Sequence, residues 1–262
     1  MDHHGRPRDR AASFSWSSHL STGSIKSRSA KDPAITRPDT DASAYFDLHT
    51  HSSDGSVDAG ATVEGYLRWI VRRRDHGDRI DGFVLTEHRN LDLQYDYSAL
   101  AEQYQVTVLR GMEIETNGGH VLVYGASERF FKEIDISKVS LPYEDVFQAA
   151  LEHDGIAVGA HAGRPRIGLA DHVDGNGASM DHVHLIESLN GGSSATENGR
   201  ALQLAAQYQL ATVGGSDSHY VTAVGSCLTA FQEPVHSIPA LVEQLKAGSV
   251  HAVTQNELRN QQ

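Results

Sequence analysis

The chain has 262 residues, 39% of them apolar, and a formal net charge of −12, enough for one large α/β domain or two small ones with a sizeable core. That charge argues against a stable nucleic-acid complex, which needs a basic surface to neutralise phosphates, and the single cysteine, Cys227, excludes an intrachain disulfide and a thiolate metal cluster. No apolar run approaches the roughly 20 residues that span a bilayer and the opening MDHHGRPRDR lacks the apolar segment of a secretory signal, so a cytoplasmic protein without membrane association is expected.

Residues 1–43 carry seven Lys or Arg against five Asp or Glu, net +2, which leaves −14 on the remainder. Rich in Ser and almost without apolar periodicity, they read as a disordered Ser/Arg-rich leader, and 44–262 as one folded domain. A first strand over 45–49 runs into DLHTHSSD. In a strand His49 and His51 share a face roughly 6 to 7 Å apart, which suits one metal ion or a surface pair on an edge strand. Further strands are expected at 82–86, 106–113, 120–124, 156–160, 183–189 and 211–214, with another run near 224–231. Helices are expected at 63–74, 97–104, 143–153, 196–208 and 238–246. Strands separated by helices predict parallel βαβ units, and seven or eight strands suit a closed α/β barrel.

Nearly every predicted strand ends in a side chain able to bind metal: FDLHTH in His49 and His51, GFVLTEH in Glu87 and His88, VLRGMEIE in Glu113, AVGAH in His161, ATVGGSDSH in Asp217 and His219. His120 begins a strand after GG, which allows close backbone approach. In a βα barrel the loops after the strands gather at one rim, so these groups converge. Nitrogen and oxygen donors without cysteine suit zinc, manganese or iron, and a carboxylate can bridge two ions. Arg89, Arg164 and Arg166 follow expected ligand histidines and are candidates to grip phosphate. Glu187 and Asn190 line the pocket or form a turn with Gly191. The stretch 170–184 reads as a loop over the rim carrying His172, His182 and His184, and Cys227 as a packed, inert thiol.

In order, DLHTHSSDG, TEHRN, GMEIET followed by GGHVLVYG, AHAGRP and GGSDSH resemble the motifs of the polymerase and histidinol phosphatase (PHP) superfamily, over roughly residues 45 to 220. The resemblance implies a distorted (β/α)7 barrel of the PHP type, a metal-dependent phosphoesterase, with two or three divalent ions at its C-terminal rim. It places His49, His51, Glu113 and Asp217 around one ion, and Glu113 as a bridge to a second held by His120 and His161. A third takes His88 and His219, with Asp54 of the SDG turn as its acid. Two positions depart from the pattern. Asp54 follows His51 after only two serines where members carry a longer insert, and Glu87 replaces the usual Asp, either orienting His88 or standing as a solvated loop acid.

Bound divalent ions bring the pKa of water from about 16 toward about 7, so hydrolysis of a small phosphorylated substrate, such as a nucleotide, is the expected activity. Arg164 and Arg89 would neutralise phosphoryl charge, and Asp217 and His219 would shuttle the proton of the leaving oxygen. Two other classes differ in signature. An amidohydrolase cleaving C–N bonds places a lysine at the bridging position held here by Glu113, and a non-catalytic metal-binding module would have lost ligands.

Overall fold

The computed structural model describes residues 42–91, 95–138 and 140–260; the expected leader lies outside them but for Ala42 and Ser43. In chain order the elements are β1 (Ala44–Thr50), α1 (Val63–Arg74), β2 (Gly82–His88), α2 (Ser98–Tyr104), β3 (Thr107–Thr116), β4 (Gly119–Tyr124), α3 (Glu128–Glu133), α4 (Tyr143–Glu152), β5 (Ile156–Gly159), α5 (Leu169–Asn176), β6 (Leu185–Asn190), α6 (Ala195–Tyr208), β7 (Ala211–Gly215), β8 (Cys227–Phe231), α7 (Ile238–Ala247), β9 (Val250–Thr254) and α8 (Gln255–Arg259). Local signals set the helix ends. Thr62 and Ser237 cap α1 and α7 through their hydroxyls, and Ser194 with Glu197 closes a capping box on α6.

The strands form one sheet in the order β7-β6-β5-β4-β3-β2-β1-β8-β9. β1/β2, β2/β3, β5/β6 and β6/β7 are parallel, as expected. Four other pairs are antiparallel: β3/β4, β4/β5, β1/β8 and β8/β9. The barrel-type α/β fold therefore stands, but it is not uniformly parallel. The sequence Asn117-Gly118-Gly119 turns β3 straight back into β4, pairing Thr116 with Gly119 and Glu115 with His120. This reversal brings the start of β4 to the end of β3, which puts His120 at the ligand-bearing end of the sheet. Gly119 has φ +102, and a Cβ there would stand 2.6 Å from the Ile167 carbonyl oxygen, so only glycine fits the turn.

β9 and the short helices α3, α5 and α8 lie where no element was expected. α5 occupies the first half of the stretch read as a rim loop and ends at Gly177 in the left-handed conformation. His172 there contacts the Arg166 carbonyl at 3.0 Å, and His182 and His184 are exposed.

Phe46, Leu48, Val84, Leu122, Tyr124, Val158, Leu185 and Val213 fill the barrel, with Leu241 and Leu245 of α7 packed against them. The register of β1 against β2 shifts between Asp47 and Thr50. Such an irregularity re-aims side chains; past it, His49 and His51 are fully buried.

β7 packs against β1 and β8 to bring the two sides of the sheet together, and individual bonds join them. Gly214 N donates to Thr229 Oγ1 and Thr229 Oγ1 donates to Gly214 O, both at 2.9 Å. Ser216 N donates to the buried Asp47 carboxylate at 2.8 Å, and His51 N to Ser218 O at 2.8 Å. A Cβ on Gly214 would run into the Leu228 carbonyl, and one on Gly215 would stand 2.5 Å from His49 Cβ. Gly214→Ala is expected to cost on the order of 1–3 kcal/mol through overpacking, read as a lowered urea midpoint. Gly199→Ala, in α6 with no atom within 4 Å of the new Cβ, should leave stability unchanged or raise it by about 0.5–1 kcal/mol.

Candidate metal centre

Four donor atoms converge at the end of the barrel. His49 Nε2 and His51 Nε2 are 3.1 Å apart. Each faces Glu113 Oε2, at 3.4 and 3.3 Å, and Asp217 Oδ1, at 3.5 Å in both cases. Ligands about 2.1 Å from one tetrahedral ion stand about 3.4 Å from one another, so these spacings fit the edges of a coordination tetrahedron.

The other Glu113 oxygen, Oε1, lies 2.9 Å from His120 Nδ1 and 3.1 Å from His161 Nε2, a second group able to hold an ion. His88 Nδ1 is buried and makes no hydrogen bond among the described residues, although Glu113 Oε2 stands 3.2 Å away. The two atoms are near but not aligned for a shared proton, as two donors to one cation would be.

The third group sits at the rim. It comprises His51, His88 and His219, and the acid beside it is Asp58 rather than Asp54: Asp58 Oδ2 lies 3.4 Å from His88 Nε2 and 3.3 Å from His219 Nε2. Asp54 is exposed and its carboxylate lies 3.5 Å from Val63 N. Gly55 packs against Glu87, where a Cβ would come within 2.5 Å of the side chain, and the turn carries the next acid to the rim. The rim group is also more open, with side-chain exposures of 28% for His88, 24% for His219 and 51% for Asp58, against 0% for His49 and His51.

Outer partners set the proton positions on the rings. Glu187 lies 3.1 and 3.2 Å from His49 Nδ1, and the Asp217 carbonyl 3.0 Å from His219 Nδ1. Both partners accept, so Nδ1 carries the proton and Nε2 offers its lone pair inward. Glu87 works differently from either sequence expectation. It is buried and accepts from Ser52 N, Ser52 Oγ and Ser56 Oγ. Ser56 Oγ in turn lies 3.5 Å from His51 Nδ1 and accepts from His88 N at 3.3 Å. Glu87 thus holds the turn that orients His51. Tyr66 of α1 locks the same region by donating to His51 O at 2.6 Å and Ser218 O at 2.7 Å. Tyr66 and Asp47 carry no ligand spacing, and their sequence neighbours do not mark them as part of the site.

The arginines divide. Arg164 donates through Nη2 to Asn190 Oδ1 at 2.7 Å and to Asp217 Oδ2 at 3.0 Å, and through Nε to Ser193 Oγ at 3.2 Å. Arg89 is instead taken up by Glu115 and by the Lys138 and Ile136 carbonyls, at 2.8 and 3.4 Å, so its expected grip on phosphate is not supported. Arg166 is exposed. Arg89, His161, Arg166 and Asp217 all have positive φ, at 48, 30, 69 and 53°. Such backbone is costly for residues with a Cβ and collects at functional sites.

Electrostatics give the cluster its demand for positive charge. Burial opposes a charge on His49, yet Glu187, Asp217 and Glu113 hold its pKa well above the usual imidazole value. His51, also opposed by burial, is raised to about 9 by Asp217 and Glu113. Burial works against ionised Glu113 and Asp217 too, but His49 and neighbouring imidazoles keep both well below the carboxylate range. Buried carboxylates that stay ionised among imidazoles, with converging lone pairs, fit divalent cations. Cys227 takes no part: burial pushes its thiol up to about 12.

A family model described as PHP-associated matches residues 195–250. The chain superposes on a two-domain protein of Bacteroides vulgatus that contains a predicted PHP-like metal-dependent phosphoesterase, with 20% identity and a TM-score of 0.52 over 80% of this chain and 64% of that one. The chain carries the fold of the PHP superfamily. A likeness of fold also relates it to an amidohydrolase of Chromobacterium violaceum with bound sulfate and no metal, at 16% identity, TM-score 0.51, over 80% of this chain and 98% of that one. It also relates it to a lesion-specific endonuclease of Pyrococcus furiosus, at 15% identity, TM-score 0.54, over 80% and 57%. This chain thus spans less than two thirds of the Bacteroides and Pyrococcus proteins. No curated protein matches it. No helix among the described residues is long and apolar enough to cross a membrane.

Replacing the rim acid tests this assignment. Asp58→Ala should lower the metal bound per chain by about one equivalent, whereas Asp54→Ala should leave it unchanged, both read by elemental analysis of protein equilibrated with manganese or zinc.

Proposed function

We propose that the protein is a metal-dependent phosphoesterase acting on a small phosphorylated substrate such as a nucleotide. The observation that carries this reading is the pair of buried carboxylates, Glu113 and Asp217, each facing several imidazoles while Arg164 stands on Asp217. Two or three zinc, manganese or iron ions bound there would supply an activated water and neutralise charge on the phosphoryl oxygens.

The chain's own residues do the rest. Arg164 has Nε and Nη2 committed within the protein, leaving Nη1 for a phosphoryl oxygen, and Asp217 holds the guanidinium in place. Asp217 is a poor proton carrier, because, against its burial, His49, His51 and His161 hold it ionised. His219 is no better placed: its Nδ1 proton faces the Asp217 carbonyl and its Nε2 offers a lone pair at the rim beside Asp58, so in this reading the leaving oxygen takes its proton from water at the open rim. Glu187 and the Glu87–Ser56 pair keep the rings of His49 and His51 in register. The chain's net charge of −12 and the exposed Asp58 favour a small substrate over a long polyanion.

Cleavage of a C–N bond is the second reading, since one protein of the same fold is an amidohydrolase. A panel of phosphomonoesters, phosphodiesters, DNA and amides, assayed with manganese, zinc or iron, separates the two. Turnover of a small phosphoester, lost on chelation and restored by metal, is the expected result; turnover of amides alone, or indifference to the chelator, would sink the proposal. Asp217→Asn and His161→Ala should each lower the rate by at least about 100-fold while the protein stays folded by circular dichroism.

A further inference from the structure

A ring of side chains leads from one ligand of the buried centre back to another. His49 Nδ1 faces Glu187 at 3.1 Å, and Glu187 Oε2 accepts from Asn190 Nδ2 at 2.9 Å. Asn190 Oδ1 accepts from Arg164 Nη2 at 2.7 Å, and the same nitrogen donates to Asp217 Oδ2 at 3.0 Å. Asp217 Oδ1 closes the ring 3.5 Å from His49 Nε2.

Asn190 is the turning point. It is buried, and Asn198 of α6 clamps its backbone, accepting from Asn190 N and donating to Asn190 O, both at 3.1 Å. Asn190 gives Glu187 a donor and Arg164 an acceptor; a side-chain amide meets the two demands from two separate atoms, whereas a carboxylate offers no donor and an apolar group neither. Gly192 N and Ser193 Oγ also donate to Asn190 Oδ1, at 3.0 and 3.1 Å, so the amide oxygen is turned toward the arginine and its nitrogen toward Glu187.

We propose that Asn190 is a positioning residue with two separable arms: its amide nitrogen holds Glu187 on the metal ligand His49, and its amide oxygen holds Arg164 beside Asp217 for a phosphoryl group. The second arm rests on the phosphoester reading; the first does not. Two variants split the arms. Asn190→Asp keeps an acceptor for Arg164 but sets a carboxylate against Glu187 with no donor between them. Asn190→Ala removes both.

The full-length protein, stripped with chelator, is titrated with zinc against a chromophoric competitor; the zinc-loaded protein is then titrated with inorganic phosphate by calorimetry. Asn190→Asp should weaken zinc about tenfold and leave phosphate affinity within about twofold. Asn190→Ala should weaken both, each about tenfold. Thermal unfolding of the zinc-free forms establishes that they fold, and if Asn190→Ala does not, the Asn190→Asp result decides. Unchanged zinc affinity in Asn190→Asp overturns the first arm. Equal loss of phosphate affinity in both variants, or no phosphate binding by the unsubstituted protein, overturns the second. Failure to hydrolyse any phosphoester would refute the proposed function yet leave the zinc comparison intact.

Discussion

A single buried carboxylate organises the centre. Glu113 sits in β3, three residues before its end, with five imidazoles within 3.4 Å of its two oxygens: His49, His51 and His88 on one, His120 and His161 on the other. Taking an ionised carboxylate out of water costs several kcal/mol unless charge and donors surround it, and imidazoles alone meet that demand only by taking up protons. Divalent cations meet it better, because each can accept lone pairs from an oxygen and several nitrogens together. Much of the architecture serves this arrangement: the irregular β1 aims two rings inward, the hairpin after β3 returns His120, and Gly215 lets β7 approach His49.

Around that hub the protein separates holding from reaching. The buried groups are fixed from behind by Glu187, by the Glu87–Ser56 pair and by the Tyr66 hydroxyl on two backbone carbonyls. The rim group has fewer such supports and stands in partial contact with solvent. Arg164 belongs to neither class: it is a cation built permanently into the edge of the cluster, with only part of its donor set free to turn outward. Such pre-placement lowers the cost of ordering a charged group when a substrate arrives.

The residues that could be read in sequence were those whose type and position agree. Histidines and acids at the ends of apolar runs marked His49, His51, Glu113, His161 and Asp217, and the structure brings them together; the resemblance in motif order supplied the grouping. What could not be read depended on contacts distant in sequence or on small changes of path. Asp58 and Asp54 differ by four positions in one turn, and it is Asp58 whose carboxylate stands beside His88 and His219. Arg89, like Arg164, follows an expected ligand histidine closely, but Glu115 and two carbonyls of the segment before α4 claim it. The antiparallel pairs escaped because alternation of strands and helices predicts parallel crossovers, and the NGG turn that breaks the rule spans only three residues. The short helices α3, α5 and α8 are below the length at which periodicity is informative.

The join between β7 and β1 has a mechanical consequence. Among the described residues no backbone ladder pairs these strands; the Asp47 carboxylate on Ser216 N and an isolated bridge between Thr50 and Ser218 join them, while the Thr229 hydroxyl ties β7 to β8. His49 and His51 stand on one side of this seam and Asp217 on the other, nearly the whole domain apart in sequence. An ion gripped by all three would act as a rivet through the weakest line of the barrel, so that loading the centre would also fasten the first strand to the seventh and couple cofactor supply to the lifetime of the fold.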